Sequence, residues 1–418
     1  MEEQAVEVEV PSYFLCPITL DVMRDPVTLP TGITYDRHAI HRWLRLADGA
    51  TSATCPLTKL PVAPDCEPTP NHTLHRLIHS WCARNPAAAV DSIERISTPP
   101  VSANLGPLVS RLADPKKPER ETLAALREIR DVAGESEPGR ELVAAFPGAA
   151  DALFAVLVST SASSEADMAL DAISSLRLAE PCLVRAVDRD GMALVDALVS
   201  MLQRDADAVS RARAAMLLAD VTACMAPSRA SSLPEQVFVE AVRLLRDNDG
   251  GASTAAIKAA LRVLAGATSY GRNRIKAAQA GAVAALVEVL LDVVEGGRRR
   301  AWCELALCAL DRLCGCAEGR AALVAHAAGV AAVGEMVVGT SAAASGKAVR
   351  VLRSVARHAA TAEVVREMVA TGAVTKLCAV AVSPETQERT KERARETLRM
   401  HAVAWRSSPC IHPNRYPC

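Results

Sequence analysis

The feature that most constrains the fold of this chain is a repeated motif of glycine, alanine and branched aliphatic residues. The motif has the form G-A-x-x-A-L-V-x-x-L, and its copies begin at Gly148, Gly191, Gly281, Gly329 and Gly372. The first and last copies are 224 residues apart, which gives a period of about 45 residues if a degenerate copy occupies the stretch near Leu233. A period in this range is typical of helical solenoids, in which each unit covers the apolar face of the next.

A second segment with helical spacing accompanies each copy of the motif. These segments read LAALREI, LDAISSL, RAAMLLA, KAALRVL, CELALCAL and SGKAVRVL. Aromatic residues make up only 3% of the chain, which favours packed helices over a sheet sandwich or barrel. We therefore predict an α-solenoid of the armadillo or HEAT class, with about six repeats, over residues 118–404. One irregular helical bundle is the alternative, but it does not require a constant period.

Proline separates the repeats from the N-terminal part of the chain. Residues 1–100 hold 12 of the 24 prolines, whereas only three occur between Gly148 and Ser383. Proline removes a backbone donor and clashes with the preceding helical turn, so the first part is expected to be rich in loops. We predict a small domain over residues 9–84, a linker over 85–117 that resists regular structure, and a disordered tail over 405–418.

Charge and hydropathy exclude several classes of function. The 47 basic and 48 acidic residues give a net charge of −1, so nothing favours nucleic acid or an anionic membrane as the main partner. No uncharged apolar run reaches 18 residues, so no membrane span is expected. The acidic N-terminus is unlike a targeting segment, and the expected compartment is the cytoplasm. A nuclear location stays open because Arg298, Arg299 and Arg300 form a short basic run, although a solvated helix face explains them better.

The N-terminal part predicts a small α+β domain. Turns at Asp25-Pro26 and near Gly32 flank a short extended run, which indicates a hairpin. Asp36 and Asn71 are placed to cap two helices. Ile40, Trp43 and Leu44 fall on one face of the first helix, and the second helix is predicted to bury Leu74, Leu77, Ile78 and Trp81.

Cysteines and histidines in this part raise the alternative of a zinc site. The residues concerned are Cys16, Cys55, Cys66, Cys82, His38, His41, His72, His75 and His79. None of the 13 cysteines of the chain forms a C-x-x-C pair, on which a two-zinc RING domain relies. We therefore predict no metal and no cofactor. Cys303, Cys308, Cys314 and Cys316, in the helical repeats, are expected to be buried thiols.

The spacing of many residues in the N-terminal part resembles the U-box, the zinc-free relative of the RING domain. The matching positions are Phe14, Cys16-Pro17-Ile18, Met23, Asp25-Pro26-Val27, Gly32, Thr34-Tyr35-Asp36-Arg37, Ile40, Trp43-Leu44, Cys55-Pro56, Pro70-Asn71, Leu74, Ile78 and Trp81. A U-box followed by armadillo repeats resembles the plant U-box E3 ubiquitin ligases over the whole chain. Pro68 departs from the pattern, which has a leucine near this position, and leaves the pairing of the last strand open.

The resemblance implies a surface for a ubiquitin-charged E2 conjugating enzyme. Ile18, Leu20, Trp43 and Pro56 are its implied apolar contacts, and Lys59 lies where a basic residue of the family touches both E2 and ubiquitin. From the residues alone, Trp43 could equally fill the core and Lys59 could be an ordinary exposed lysine. The resemblance also implies that ubiquitin passes directly from the E2 to a substrate lysine, without a covalent intermediate on this chain.

The repeats offer a candidate groove for a substrate. Alignment on armadillo proteins gives one concave position per repeat, at Arg127, Ser174, Met216, Arg262, Cys308 and Arg350. The tryptophan and asparagine arrays with which importin-like solenoids bind basic peptides do not occur there. Arg127, Arg262 and Arg350 favour acidic or phosphorylated segments instead, and solvated arginines without a ligand are the alternative.

The sequence thus predicts a RING-type E3 ubiquitin transferase of the U-box class. Its expected partners are an E2 enzyme, ubiquitin and a protein substrate held by the repeats. A non-catalytic armadillo scaffold with a degenerate U-box and a zinc-dependent binding domain are the alternatives. The resemblance implies a role in plant defence or stress signalling, and it leaves open whether the chain forms a homodimer.

Overall fold

A computed structural model gives the structure of the chain. It describes residues 10–46, 54–63, 68–84, 101–114, 117–135, 137–160, 163–176, 178, 180–204, 207–247, 253–296 and 300–406. The chain divides into two compact units, Met1–Pro100 and Val101–Cys418. The described part is mainly α-helical, with three short strands in the N-terminal unit.

The strands of the N-terminal unit form a small antiparallel sheet. They are β1 (Pro26–Thr28), β2 (Thr34–Asp36) and β3 (Thr69–Pro70), in the spatial order β2-β1-β3. β1 and β2 are the arms of the predicted hairpin, whose turn contains Gly32 with a φ of 81°. β3 pairs with β1. Pro68 does not prevent this pairing, because it precedes the strand and its missing N–H belongs to no ladder bond.

Two helices complete the N-terminal unit, α1 (Arg37–Leu46) and α2 (His72–Arg84). Both predicted caps are confirmed: Asp36 accepts from the His38 amide over 3.2 Å, and Asn71 accepts from the Leu74 amide over 3.0 Å. The core consists of Phe14, Cys16, Met23, Val27, Leu29, Tyr35, Ala39, Ile40, Cys55, Val62 and Ile78.

The predicted burial of Leu77 in α2 is wrong, because this side chain is exposed. Leu74, Ile78 and Trp81 pack against the core as predicted. The sheet is only three strands wide and covers a narrow stripe of the helix. Leu77 lies about 100° around the axis from Ile78 and falls outside that stripe.

The C-terminal unit is an α-solenoid. Its helices are α3 (Val101–Leu112), α4 (Glu119–Glu135), α5 (Glu137–Ala145), α6 (Ala149–Ser159), α7 (Ser164–Leu176), α8 (Glu180–Gln203), α9 (Ala208–Cys224), α10 (Pro227–Ala230), α11 (Glu235–Arg246), α12 (Thr254–Ala267), α13 (Gly271–Gln279), α14 (Ala282–Gly296), α15 (Arg300–Leu313), α16 (Ala317–Ala325), α17 (Gly329–Glu335), α18 (Ala342–His358), α19 (Ala362–Ala370), α20 (Ala373–Val382), α21 (Glu388–Met400) and α22 (Ala402–Arg406). One continuous apolar core runs from Leu105 to Trp405.

A typical repeat has three helices, as in α13–α15 and α16–α18. The sequence motifs identify the second and third helices of each repeat and miss the first one, which is short. That helix has nine residues in α13 and four in α10, too few to show a helical period. In α8 the first two helices of a repeat follow each other without a loop. They meet at a kink at Asp190, whose φ and ψ of −131° and 25° are not helical.

The glycine that begins the repeated motif turns the chain between the first and second helices. Gly148, Gly281 and Gly372 have φ values of 81°, 85° and 74°. This left-handed conformation strains a residue that carries a Cβ atom, whereas glycine adopts it freely. All five motif copies begin with glycine, and the corner explains the glycine in these three.

The predicted linker is wrong over its C-terminal part, where α3 forms. Leu105, Leu108 and Leu112 of this helix are buried in the solenoid core. Burial of this apolar stripe outweighs the single backbone hydrogen bond that Pro107 removes. Residues 85–100 of the predicted linker lie outside the described residues.

The predicted disordered tail starts too early. Trp405 in α22 is fully buried, and its indole Nε1 donates to the Val365 carbonyl over 3.2 Å. The side chain fills the end of the solenoid, so the packed structure extends through Arg406. Residues 407–418 lie outside the described residues.

The cysteines predicted as buried thiols lie inside the solenoid. Cys303 and Cys314 are buried, and Cys308 and Cys316 are half-buried. Burial raises the pKa of the Cys314 thiol to about 12, so it stays protonated.

In the described ranges, no single helix has the length and apolar composition needed to cross a membrane. Two shorter neighbours, α5 and α6, reach those limits only when they are counted together, and they meet at an angle of 79°.

Candidate functional site

Two loops of the N-terminal unit share a sequence pattern and a backbone conformation. The first loop, residues 16–21, reads CPITLD, and the second loop, residues 55–60, reads CPLTKL. In each loop the amide of the fifth residue donates to the carbonyl of the first, over 2.8 Å and 2.9 Å. The fifth residues, Leu20 and Lys59, have φ values of 62° and 59°, and they are the non-glycine residues with positive φ in the described ranges. The unit therefore presents the same rigid turn twice.

The cysteine that begins each loop is buried and bonded to strand β2. The Cys16 Sγ accepts a hydrogen bond from the Asp36 amide over 3.3 Å. The hydroxyl of Tyr35 lies 3.0 Å from the Cys55 Sγ and accepts from the Leu57 amide over 3.2 Å. Tyr35 and Asp36 are consecutive residues, so one strand fixes both loops.

Hydrogen bonding lowers the pKa of Cys55, the cysteine that begins the second loop. Burial raises the pKa of the Cys55 thiol, but hydrogen bonds from Thr31, Thr58 and Tyr35 outweigh burial and lower it to about 6. Burial, together with the bond to Cys55, raises the pKa of the Tyr35 hydroxyl, which therefore keeps its proton and donates to the sulfur. Cys55 has no exposed surface, so its sulfur holds the loop and cannot reach a substrate.

No group of three or more metal-ligating side chains occurs within the part of the chain that the structure describes. Cys66 and the side chains of His79 and Cys82 lie outside it. The two buried cysteines have hydrogen-bond donors as partners, and these bonds fix the loops as thiolate–metal bonds fix the loops of zinc domains.

Helix α1 places Trp43 beside the second loop. The indole Nε1 donates to the Thr54 carbonyl over 2.9 Å, and the Lys59 Nζ lies 5.7 Å from the ring centroid, within cation–π range. The indole is 37% exposed, whereas Ile40 in the same helix is fully buried. Trp43 therefore does not share the buried environment of Ile40, and the alternative that it fills the core does not hold. Its N–H needs an acceptor, and that acceptor lies in the loop at the surface.

The surface formed by the two loops and α1 is rich in apolar side chains. Leu20 is 73% exposed and Leu57 is 59% exposed, and Leu60 is also exposed. Ile18 and Pro56 are half-buried. Exposed aliphatic side chains of this size are candidates for contact with a partner.

The five residues that the resemblance implied all lie on the two loops or on α1, and the exposed side of these three elements is called the loop–α1 surface below. Sequence reasoning missed Leu57 and Leu60. The repeated Cys-Pro-x-Thr pattern could have revealed Leu57, which is the counterpart of Ile18 in the second loop.

In the solenoid, three residues at the predicted concave position lie at the same distance from the N-terminal caps of their helices. The side chains of Asp207, Ser253 and Ser341 cap α9, α12 and α18. Nine residues after these caps come Met216, Arg262 and Arg350. These three helices are the third helices of their repeats, which pack against one another along the array.

Two of the three predicted groove arginines pair with a carboxylate of the preceding repeat. Arg262 contacts Asp220 over 2.8 Å. The guanidinium of Arg350 makes a two-pronged contact with Asp311, over 2.5 Å and 2.9 Å. Arg127 is exposed and forms no ion pair with any described residue. Of the three, it alone has no carboxylate partner among the described residues.

Similar pairs link other third helices. Arg213 contacts Asp171 over 2.9 Å, and Arg353 contacts Glu396 over 2.7 Å. Acidic and basic side chains thus alternate between neighbouring repeats. This face of the solenoid neutralises much of its own charge.

Comparison with known proteins identifies both units. A family model described as "U-box domain" matches residues 10–87, and one described as "Plant U-box protein ARM repeat region" matches residues 107–417. The E3 ubiquitin-protein ligase PUB23 of Arabidopsis thaliana is 36% identical over 417 residues, which cover 99% of this chain and 98% of the relative. The E3 ubiquitin-protein ligase PUB22 of the same plant is 34% identical over 440 residues, which cover 98% of each.

A solved structure from a study of the interaction between cadherin and beta-catenin has the same solenoid fold. It is 16% identical, with a TM-score of 0.57, and the match covers 81% of this chain and 60% of that one. The order of the two matched domains and the full-length similarity to the plant ligases agree with each other. This chain belongs to the plant U-box proteins in which a U-box precedes an armadillo-repeat region.

Proposed function

We propose that the loop–α1 surface of the U-box binds a ubiquitin-charged E2 enzyme and promotes direct transfer of ubiquitin to a substrate lysine. The class of activity, a U-box ubiquitin transferase, follows from the family, whose relatives named above are E3 ubiquitin-protein ligases. The observation that carries the proposal is the exposure of Trp43 on α1 and of Leu20 and Leu57 on loops that buried cysteines hold rigid. A rigid apolar surface binds a partner with little loss of conformational entropy.

The mechanism that this geometry supports is positioning of the E2-bound thioester. Lys59 has a left-handed backbone and carries its ammonium group over the ring of Trp43, next to the apolar surface. A cation there can contact the E2 and the carbonyl oxygens of ubiquitin together. Restricting the thioester to reactive orientations raises the transfer rate by reducing the entropy that is lost at the transition state. Cys16 and Cys55 are buried, so neither accepts ubiquitin.

A scaffold with a degenerate U-box is the competing function. A surface that no longer binds an E2 gains nothing from exposed leucines, which reduce solubility. The two matching loops and the indole hydrogen bond to Thr54 therefore favour an active surface.

Ile18→Ala is expected to slow ubiquitin discharge from an E2 at least about fivefold, because it removes apolar contact area from the centre of the interface. The measurement is the rate at which free lysine in solution takes ubiquitin from each charged E2 of a panel. Leu77→Ala is the control: it removes an exposed aliphatic side chain from α2, outside the loop–α1 surface, and is expected to leave the rate unchanged. Circular dichroism checks that both variants fold. If no E2 responds to the wild-type chain, or Ile18→Ala is as active as wild type, the scaffold function is favoured.

We also propose that the armadillo repeats recruit the substrate through acidic or phosphorylated segments, and that Arg127 contributes most among the three groove arginines. Arg262 and Arg350 share their charge with Asp220 and Asp311, whereas Arg127 has no such partner among the described residues. A ligand carboxylate must displace an existing contact at the first two sites, and at Arg127 it must displace only water.

Arg127→Glu is expected to weaken binding of a phosphorylated acidic probe peptide about three- to tenfold, because it replaces one exposed attractive charge contact with a repulsive one. Arg262→Glu is the comparison, with a smaller expected loss. Fluorescence anisotropy at two salt concentrations gives both affinities. Equal binding by the wild type and by both variants would mean that these arginines are solvated and have no ligand.

The location and the pathway are proposals that rest on composition and on family. We propose the cytoplasm as the main compartment, with the nucleus open because of the basic run that ends at Arg300; Arg298 and Arg299 lie outside the described residues. The proposed role in plant defence or stress signalling follows from the resemblance alone, and formation of a homodimer is left open.

A further inference from the structure

Lysine is scarce in this chain, with eight lysines against 39 arginines. Ubiquitin is transferred to the amine of lysine, and arginine cannot take its place, because the guanidinium group does not lose its proton. A ligase of this composition offers few acceptors for ubiquitin on itself. Seven of the eight lysines lie in the described ranges, so their surroundings can be compared.

Four of these lysines are half-buried. A backbone carbonyl accepts a hydrogen bond from the Nζ of Lys276 over 2.6 Å. Carboxylates hold the ammonium groups of Lys376, over 2.6 Å, and Lys391, over 3.3 Å. Lys347 is the fourth, and it lies in the middle of α18. An acceptor amine must enter the active site of the E2, so half-buried side chains in helices are poor acceptors.

Three described lysines are exposed, namely Lys59, Lys117 and Lys258. Lys59 lies over Trp43 within the proposed E2 contact, where a bound E2 covers it. Lys258 lies in the second turn of α12, so its backbone is held in a regular helix. Lys117 differs from both, because it lies in the turn between α3 and α4.

The surroundings of Lys117 leave its amine available. Among the described residues it forms one ion pair, which joins the Nζ to Glu121 over 3.2 Å, with both side chains exposed. Exposed pairs of this kind are worth about 0–1 kcal/mol, so the amine separates from Glu121 at little cost. The turn itself is short: the Lys117 amide donates to the Asp114 carbonyl over 3.2 Å. A side chain at such a corner has few neighbours that block the approach of an E2.

We propose that Lys117 is the main lysine on which this chain receives ubiquitin through its own U-box. The proposal rests on the proposed ligase function. Lys117 is the first exposed lysine that follows the U-box in the described ranges, 33 residues beyond the end of α2 at Arg84. A short tether gives a high effective concentration for transfer within one molecule.

The transfer needs only the E2-bound thioester and the lysine. The unprotonated Nζ of Lys117 attacks the carbonyl carbon of the thioester, an isopeptide C–N bond forms, and the C–S bond breaks. The E2 cysteine leaves as a thiolate, and one proton of the amine ends on that sulfur. Each transfer removes the positive charge of Lys117 and with it the ion pair to Glu121.

The test is self-ubiquitination of the full chain with E1, an active E2, ATP and ubiquitin that lacks lysines, so that each acceptor takes one ubiquitin. Lys117→Arg is expected to lower the number of ubiquitins per chain at least about threefold, because it removes the acceptor amine with the highest effective concentration. Lys258→Arg, the matched control at an exposed lysine of the same unit, is expected to leave that number nearly unchanged. Both changes keep the positive charge. Intact mass gives the number of ubiquitins, and peptide mass spectrometry gives their positions.

Two readouts separate the proposal from the function on which it rests. Discharge of the E2 to free lysine reports the U-box alone, and Lys117→Arg is expected to leave it at the wild-type rate. If discharge persists while Lys117→Arg does not lower self-ubiquitination, or if ubiquitin is found mainly on Lys116, Lys59 or Lys258, the assignment to Lys117 is overturned. If the wild-type chain activates no E2, the ligase function itself fails and the acceptor proposal fails with it.

Discussion

Trp43→Ala is expected to reduce ubiquitin discharge from the cognate E2 roughly thirtyfold, the loss that corresponds to about 2 kcal/mol at an aromatic centre of an interface. Two effects combine. The change removes the largest side chain of the loop–α1 surface, and it removes the indole that donates to the Thr54 carbonyl and lies beneath Lys59. The second loop then loses its contact with α1, and the cation loses its fixed position.

Trp43→Phe separates these two effects. Phenylalanine keeps an aromatic ring but cannot donate to the Thr54 carbonyl, so an intermediate rate is expected. Met216→Ala is the control, because it removes an exposed apolar side chain from the solenoid and is expected to leave discharge unchanged. The measurement is the single-turnover rate at saturating and at limiting chain concentration, which separates E2 affinity from activation. A folded Trp43→Ala variant with the wild-type rate would contradict the role of this surface.

Gly319→Ala is expected to destabilise the solenoid by roughly 3 kcal/mol or more, at the upper end of single substitutions. A Cβ atom at this position would lie 2.1 Å from the carbonyl oxygen of Leu313 and 2.5 Å from its carbonyl carbon. Leu313 is the last residue of α15 and is fully buried, so its backbone cannot move without disturbing the packing of neighbouring repeats. α16 must therefore shift away from α15.

Gly266→Ala is the matched control for this effect. It places the same methyl group in α12, where nothing lies within 4 Å, and alanine favours a helix over glycine by about 1 kcal/mol. It is expected to stabilise the solenoid slightly. Hydrogen exchange of amides in the two regions gives the local free energies of opening. Equal stability of the two variants would show that α16 adjusts freely.

Stacked repeats contact mainly their neighbours, so the effect of Gly319→Ala should stay in the array. Discharge of the E2 to free lysine, a readout of the U-box, is expected at the wild-type rate. Binding of the acidic probe peptide near Arg127 is expected to change little, because that residue lies several repeats away along the chain.

The sequence by itself determined the features that arise from short-range physics. These features are the helix caps at Asp36 and Asn71, the hairpin around Gly32 and the period of the apolar motif. Each depends on residues within a few positions of one another. Backbone hydrogen bonds and helical periodicity act over these distances, so a pattern of residues predicts them. The division into a proline-rich unit and a proline-poor array has the same origin, because proline acts on its own helical turn.

Only the tertiary structure decided which side chains remain available for binding. Trp43 is exposed because its N–H finds an acceptor in a loop 11 residues away, and Leu77 is exposed because the sheet is narrow. Arg262 and Arg350 have carboxylate partners 42 and 39 residues away, which stacking of the repeats brings into contact. Residues of the predicted linker form α3 because the first repeat supplies an apolar surface that covers it. Contacts at such separations depend on how whole elements pack, and local sequence patterns carry no information about that packing.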